Sequence, residues 1–399
     1  MPLNVLVIDR SPPVDRLQGN SLIGAEIFAR LRDHRLTLLA PATDTTATLP
    51  AGVFERVHLV PRPSPIPAIA GSFEPGLSRL PGAPGLDLAS ARAMRRQLDA
   101  LTRRESFDVV HVRQLPMAAY GRRIQAGRLL ELIDSETLGA ERALPRTRRT
   151  RLRARMARNV ERLAMRGYDV VTAVAEADAE RLRRLDPTRR VEVVPNGVDL
   201  ERFGALPTGR SEPGVLVFVG AMSFPPNVVA MRYFVEQVLP RIRAERPDAR
   251  LLIVGRDPGP AVREMGGHPG VEVVGEVDDV GPYLARASVF VAPILSGSGI
   301  KNKVLEAFAA GRPVVASPLA VEGLPVIDGH EARIAEDAHG FARAVVELLG
   351  DPMAADRIGA AGRALVERRY TWEACADAYR RLYEELAELG KAERARSAR

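Results

Sequence analysis

Ser296-Gly297-Ser298-Gly299-Ile300-Lys301-Asn302-Lys303-Val304-Leu305-Glu306-Ala307-Phe308-Ala309-Ala310-Gly311-Arg312-Pro313-Val314-Val315-Ala316-Ser317-Pro318 reads as a loop, a helix, a turn and a strand, in that order. The Gly/Ser loop runs from Ser296 to Gly299, and good helix formers follow from Lys303 to Ala310. Gly311, free to turn left-handed, ends the helix. Pro313 lies just past the stop, and Val314 to Ala316 is a short buried strand. A helix opening from a Gly-rich loop presents unpaired N–H groups and the positive end of its dipole, which is an anion site. Lys301 and Lys303 add positive charge at that end, and Glu306, one turn in, suits hydroxyls beside the phosphates. Phosphates plus a carboxylate for a diol suggest a nucleotide and its ribose. The plainer alternative is a Gly/Ser connection with no ligand.

Outward from this unit, apolar runs alternate with helical segments along the whole chain. The expected strands are Leu3–Ile8, Leu36–Leu39, Val57–Val60, Val109–Val112, Leu129–Ile133, Val170–Val174 and Val191–Val194. A second set is Val215–Val219, Leu251–Val254, Val271–Val274, Val289–Val291 and Val314–Ala316. These runs are short, rich in Val, Leu and Ile, and mostly non-alternating, as in strands buried on both faces of a parallel sheet. Two doubly wound halves are the simplest account, with ligands at the carboxyl ends of the strands. A length of 399 residues is comfortable for two domains, and a hydrophobic fraction of 46% excludes disorder. The single Cys375 excludes a disulfide framework and a Cys-rich metal site.

The order of residues in the opening stretch resembles the nucleotide-sugar site of the family 4 glycosyltransferases, which have the GT-B fold. Their motif places two Glu residues separated by seven others, then Ala-x-Ala-x-Gly-x-Pro-Val-Val. Here Glu306 is the second Glu, and Ala307 to Val315 is the tail. Ser298 stands at the first Glu position, and Gly297 to Lys303 resembles a branch carrying Gly-Ser-Gly-Ile-Lys-Asn-Lys. The resemblance implies an α/β protein of two Rossmann-like domains facing a cleft. These would be an acceptor-side domain over 1–200, a nucleotide-sugar-binding domain over 201–370, and a C-terminal helix over 371–399 crossing back to the first domain.

It also implies site residues. Gly19, Gly299, Ile300, Lys301 and Lys303 would hold the donor diphosphate, Ser298 the donor sugar, Glu306 the ribose, and Arg256 and Val277 the base. Arg256 either stacks on the base or reaches the phosphate. Asp108-Val109-Val110-His111-Val112-Arg113 resembles the family's Asp-x-Val-His-x-His, with Arg113 in place of the second histidine. His111 is the candidate catalytic imidazole, or else a satisfied core histidine. Asp134 is a candidate acid/base group or acceptor contact, or else a helix cap. Relatives carry an Arg and a Lys in the loop corresponding to Ala221–Asn227; neither is present here, so Lys301 and Lys303 are expected to supply the charge. Val191 to Asp199 resembles the segment at the domain joint, with a linker expected over Leu200–Gly214.

The implied activity is retaining transfer of a sugar from a UDP- or GDP-linked donor. The acceptor is a polysaccharide precursor, a lipid-linked glycan or a small molecule. No Asp-x-Asp occurs in the chain, so no metal is expected, and no cofactor either. The alternatives are a catalytically silent GT-B binding partner and another GT-B sugar-nucleotide enzyme.

Formal net charge is +7, almost all from arginine. Aromatic residues are 5% and stud no basic strand, which argues against nucleic acid. Arg142 to Arg166 is the most basic stretch, with Leu152, Met156, Val160 and Leu163 at helical spacing as its expected apolar face. Its arginines suit a solvated face or anionic lipid headgroups. No signal peptide and no membrane-spanning run is legible, so a cytoplasmic protein is expected, with peripheral contact at the inner face of the plasma membrane through this helix. Arg62 to Gly85, rich in Pro and Gly, reads as a long surface loop. Thr371 reads as the cap of a long final helix over Ala374–Leu389.

Overall fold

The computed structural model describes residues 1–13, 20–42, 49–61, 88–204 and 211–397. The chain divides into two compact units. The first comprises Met1–Glu141, Thr147–Pro195 and Trp372–Arg399; the second comprises Arg142–Arg146 and Asn196–Thr371.

The first unit is built on β1 (Asn4–Ile8), β2 (Arg35–Pro41), β3 (Arg56–Val60), β4 (Val109–Arg113), β5 (Gly127–Glu131), β6 (Val170–Ala173) and β7 (Arg190–Val193). All pair in parallel in the order β3-β2-β1-β4-β5-β6-β7. Alternate residues of one strand feed opposite cores. Leu6 and Ile8 join one cluster with Met94, Val110 and Val112, while Val5 and Val7 join another with Phe28, Val109 and Leu129. That second face is covered by the final helix, Trp372–Ser397, through Trp372, Tyr379, Tyr383 and Leu386. The resemblance had this helix return to the N-terminal domain, and its side chains do complete that core.

The second unit holds β8 (Val215–Val219), β9 (Arg250–Val254), β10 (Val271–Gly275), β11 (Val289–Ala292), β12 (Val314–Ala316) and β13 (Arg333–Ile334). They too pair in parallel, in the order β10-β9-β8-β11-β12-β13. In both sheets the order reverses beside the first strand, between β1 and β4 and between β8 and β11. Those are the switch points outside which open α/β sheets bind ligands. The opening stretch folds as read: the helix is Asn302–Ala309, and Gly311 follows it at φ 64. The N–H of Arg312 then reaches back to Ala307 O at 2.9 Å, closing the helix end.

Two local readings need correction. Arg142 to Arg166 is not one helix; Glu136–Glu141 and Arg148–Met165 are separate, and Thr147 caps the latter in a capping box with Thr150. The expected apolar face is only partly buried: Val160 is inside and Met156 half-buried, but the two leucines are not. Leu152 is 59% exposed and Leu163 42%, whereas Ala154, Val160, Glu161, Ala164 and Met165 are buried. Small alanines let this helix lie close against Glu136–Glu141, which leaves the bulkier leucines outside. The linker expected over Leu200–Gly214 begins with a short helix, Leu200–Gly204. The Arg62–Gly85 loop falls outside the described residues.

Candidate functional site

The second unit's sheet gathers most of the expected site. The ends of β8, β9 and β10 are knitted by backbone bonds: Gly220 N to Val254 O (3.0 Å), Met222 N to Arg256 O (2.8 Å) and Gly255 N to Gly275 O (2.7 Å). A Cβ on Gly255 would lie 1.9 Å from Gly220 O, so no side chain fits there. Ser296–Gly299 follows β11 and leads into the helix Asn302–Ala309, in whose first turn Val304 N donates to Lys301 O at 2.7 Å while Asn302 and Lys303 precede any carbonyl of the helix.

The absence of a basic residue in Ala221–Asn227 has a structural answer. Lys303 reaches that loop from the helix: its Nζ donates to Asn227 Oδ1 at 2.5 Å. It also lies over the Phe218 ring, 4.4 Å from the centroid, and within 2.8 Å of where a Cβ on Gly220 would stand. Asn227 is held in turn by donating Nδ2–H to Ala221 O at 2.9 Å. Burial and the nearby charge of Lys301 push the Lys303 ammonium down to about 7, with Glu306 acting the other way. Lys301 turns back on its own loop, its Nζ donating to Ser298 O (3.0 Å) and Gly299 O (2.5 Å). Ile300 is buried behind it.

Glu306 sits one turn beyond Lys303 on the same helix. Burial raises its carboxyl above the ordinary range, against the pull of Arg202 and Lys303. Its carboxylate has no hydrogen bond or ion pair to a described residue. Arg256 follows β9, and its buried Nε has no hydrogen-bond partner among the described residues. Val277, half-buried, follows β10. Within one unit, then, Ser298, Gly299, Ile300, Lys301, Lys303, Glu306, Arg256 and Val277 all stand at the carboxyl edge of one sheet. Gly19 lies outside the described residues.

Three residues missed in the sequence take part. Asn227 anchors Lys303, and Asn196 donates Nδ2–H to Asn302 Oδ1 at 3.0 Å, fixing the start of the helix. Lys303, by contrast, is marked in the sequence twice over, by its loop and by its residue type. Of 57 Lys and Arg, only Lys301, Lys303 and Lys391 are lysines. A chain that uses arginine almost everywhere keeps the compact, titratable cation in this loop.

In the first unit the expected catalytic residues stand differently. His111 is fully buried within β4. Its Nδ1 is 2.6 Å from Tyr383 Oη, its Nε2 is 2.9 Å from Glu131 Oε2, and its ring stacks on Tyr379. Both nitrogens are occupied and no face is open, so the catalytic reading gives way to that of a core group. Arg113 is equally buried and donates to Asp9 Oδ2 (2.5 Å) and to both oxygens of Glu131 (2.9 and 3.1 Å). Burial works against the Glu131 charge, but Arg113 and His111 hold its carboxyl at about 2. Asp134 is exposed beyond β5. The cap of the next helix is its neighbour, since Ser135 Oγ accepts Leu138 N at 3.1 Å. Among the described residues no group of three His, Cys, Asp or Glu side chains is placed to hold a metal.

Two parallel-sheet Rossmann-like units, the second with a helix opening from a Gly/Ser loop at its switch point, define the GT-B class. Solved structures agree. Sucrose-phosphate synthase from Thermosynechococcus elongatus matches with a TM-score of 0.72 at 18% identity, over 96% of this chain and 99% of that one. Anabaena HepE, in complex with UDP and glucose, matches at 0.67 and 14%, over 96% and 100%. Residues 26–202 match the family described as Glycosyltransferase Family 4, and residues 213–351 match Glycosyl transferases group 1. The first half of the chain thus matches the family 4 glycosyltransferases and the second half the group 1 glycosyltransferases. Among sequence relatives, the phosphatidyl-myo-inositol mannosyltransferase of Mycobacterium leprae is 30% identical over 55% of this chain and 61% of its own. The GDP-mannose-dependent alpha-(1-6)-phosphatidylinositol monomannoside mannosyltransferase of Mycobacterium tuberculosis is 32% identical over 55% and 63%. The chain thus spans about three fifths of the length of these relatives.

Proposed function

We propose that this protein transfers a hexosyl group from a nucleoside-diphosphate sugar to a hydroxyl acceptor, with retention and without a metal. The observation that carries this reading is the half-buried Lys303 ammonium, set in the first turn of the helix Asn302–Ala309 that opens from the Gly/Ser loop. Departure of a nucleoside diphosphate leaves negative charge that must be stabilised where it develops, and a preorganised cation and amide dipoles do this without reorganisation. Lys303, Lys301 and the N–H groups of the Gly299–Lys303 segment take the diphosphate. Glu306 takes the ribose hydroxyls, Ser298 the sugar, and Arg256 with the backbone at Val277 the base. The second unit is thereby the donor domain, and the first takes the acceptor.

The names of the sequence relatives favour GDP-mannose as donor and a lipid-linked acceptor. A peripheral membrane position is consistent with that acceptor. No helix among the described residues is long and apolar enough to cross a membrane. The outer face of Arg148–Met165 carries Leu152 and Leu163 beside the exposed Arg148, Arg151, Arg155 and Arg162, a pattern suited to anionic headgroups.

The test is nucleoside diphosphate released from GDP-mannose or UDP-glucose, with phosphatidylinositol in mixed micelles as acceptor, in EDTA. Acceptor-dependent release with the anomeric configuration kept is expected. Tight nucleotide binding with no release from either donor would contradict transfer and leave a silent binding protein.

A further inference from the structure

Two residues other than glycine have positive φ among the described residues, Asp257 (φ 55) and Gln114 (φ 70). Aspartate visits the left-handed region readily. Gln114, at φ 70 and ψ 141, occupies a corner of backbone space used almost entirely by glycine. It directly follows β4, at the switch point of the first sheet, where β4 lies beside β1. The backbone is pinned there: Gln114 N donates to Glu131 O at 2.8 Å, and Gln114 O accepts Met117 N at 3.0 Å.

The side chain does little for the fold. It does not cap the short turn that follows. Its Nε2 makes one long donation, 3.4 Å to Asp9 Oδ1, and its Oε1 accepts no hydrogen bond from a described residue. The preceding cation, Arg113, is committed inward to Asp9 and Glu131. The half-buried carboxamide of Gln114 is therefore the polar group that β4 sends past its own end. A glycine would meet the backbone requirement without strain, so what the glutamine adds at this position is its side chain.

We propose that Gln114 is a substrate-contacting residue whose carboxamide hydrogen-bonds sugar or acceptor hydroxyls during transfer. This rests on the glycosyl-transfer reading above. An amide offers two donors and an acceptor without a charge to desolvate, which matches a hydroxyl in either role. Asp9, locked by Arg113, orients it.

The test uses the full chain with Gln114→Gly and Gln114→Asn. Gln114→Gly is expected to raise Tm by about 2–4 °C as strain is relieved. It is expected to bind GDP and UDP as the wild type does, and to lose turnover by about tenfold or more, the worth of one hydrogen bond. Gln114→Asn, which keeps an amide on a shorter side chain, recovers part of the loss. Loss of both donor hydrolysis and transfer assigns the contact to the donor sugar; loss of transfer alone assigns it to the acceptor. Wild-type turnover in Gln114→Gly overturns the inference while leaving the proposed function standing. A lowered Tm in that variant also overturns it, since the side chain would then be structural. A wild type that turns over neither GDP-mannose nor UDP-glucose overturns the proposed function and removes the ligand assigned to Gln114.

Discussion

At the carboxyl end of β4 the Arg113 guanidinium meets two carboxylates, Asp9 and Glu131, and all three are shut off from water. At the carboxyl ends of β8 and β9, Lys303 meets a neutral amide, and the Arg256 guanidinium makes no hydrogen bond to a described residue. The two sheets share a strand order, and both clusters sit at corresponding edges. In the first, one guanidinium hydrogen-bonds both carboxylates inside the fold, so the cluster holds the unit together. In the second, cations are half-buried with weak partners, so an incoming anion has something to complete. Burial with full pairing marks a structural cluster, and partial burial with missing partners marks a binding one.

The largest effect expected from this contrast is on stability. Arg113→Ala strands two buried carboxylates and should cost about 3–5 kcal/mol, read by denaturant unfolding. Glu306→Ala removes an unpartnered carboxylate and should cost no stability. If both variants proved equally stable, the contrast would fail. The first cluster also has a pH signature. Glu131 has a folded pKa of about 2, below its ordinary 4.5, so its contribution is present above pH 4.5 and is lost as pH falls toward 2.

The next effect is on binding. Lys303→Ala removes a charge-assisted hydrogen bond and should weaken nucleoside-diphosphate affinity by roughly 10- to 100-fold in calorimetry. The same lysine gives a pH dependence of opposite kinds for binding and for folding. Free Lys303 titrates near 7, and a bound diphosphate raises its pKa, so binding takes up a proton above pH 7. Kd should then rise with pH above 7, by at most about tenfold per unit, and the slope should vanish in Lys303→Ala. Apo stability moves the other way. A lysine whose folded pKa is depressed destabilises the fold while protonated, and that cost fades as pH climbs from 7 toward 10.5. A flat Kd between pH 7 and 9 would place the diphosphate elsewhere.

The smallest effect is at the surface of the first unit. Leu152→Glu with Leu163→Glu should weaken binding to phosphatidylglycerol vesicles in sedimentation while leaving Tm within about a degree, as for exposed positions generally. Unchanged sedimentation would leave the arginine face merely solvated.

Much of the fold is legible because parallel strands buried on both faces read as unbroken Val/Leu/Ile runs. Strand β13, two residues long, is too short to leave such a run. The proposed donor-side loop is legible because its residues are contiguous: Gly299, Lys301, Lys303 and Glu306 lie within one loop and one helix. The pairing of Arg113 with Asp9, 104 residues away, and of His111 with Tyr383, 272 residues away, leaves no trace in local spacing. A strand-end histidine therefore reads alike whether it faces a substrate or the core. The Arg148–Met165 helix misleads for a different reason. Its buried stripe is made of alanines and Val160, and periodicity weighted by side-chain size picks the leucines instead.

The most direct measurement is isothermal titration of GDP and UDP, in EDTA at pH 6.5, into the wild type, Lys303→Ala and Glu306→Ala. The account predicts that one nucleotide binds the wild type and that both variants weaken it while unfolding no more readily. Equal affinity in all three proteins would contradict a donor site built on the helix Asn302–Ala309.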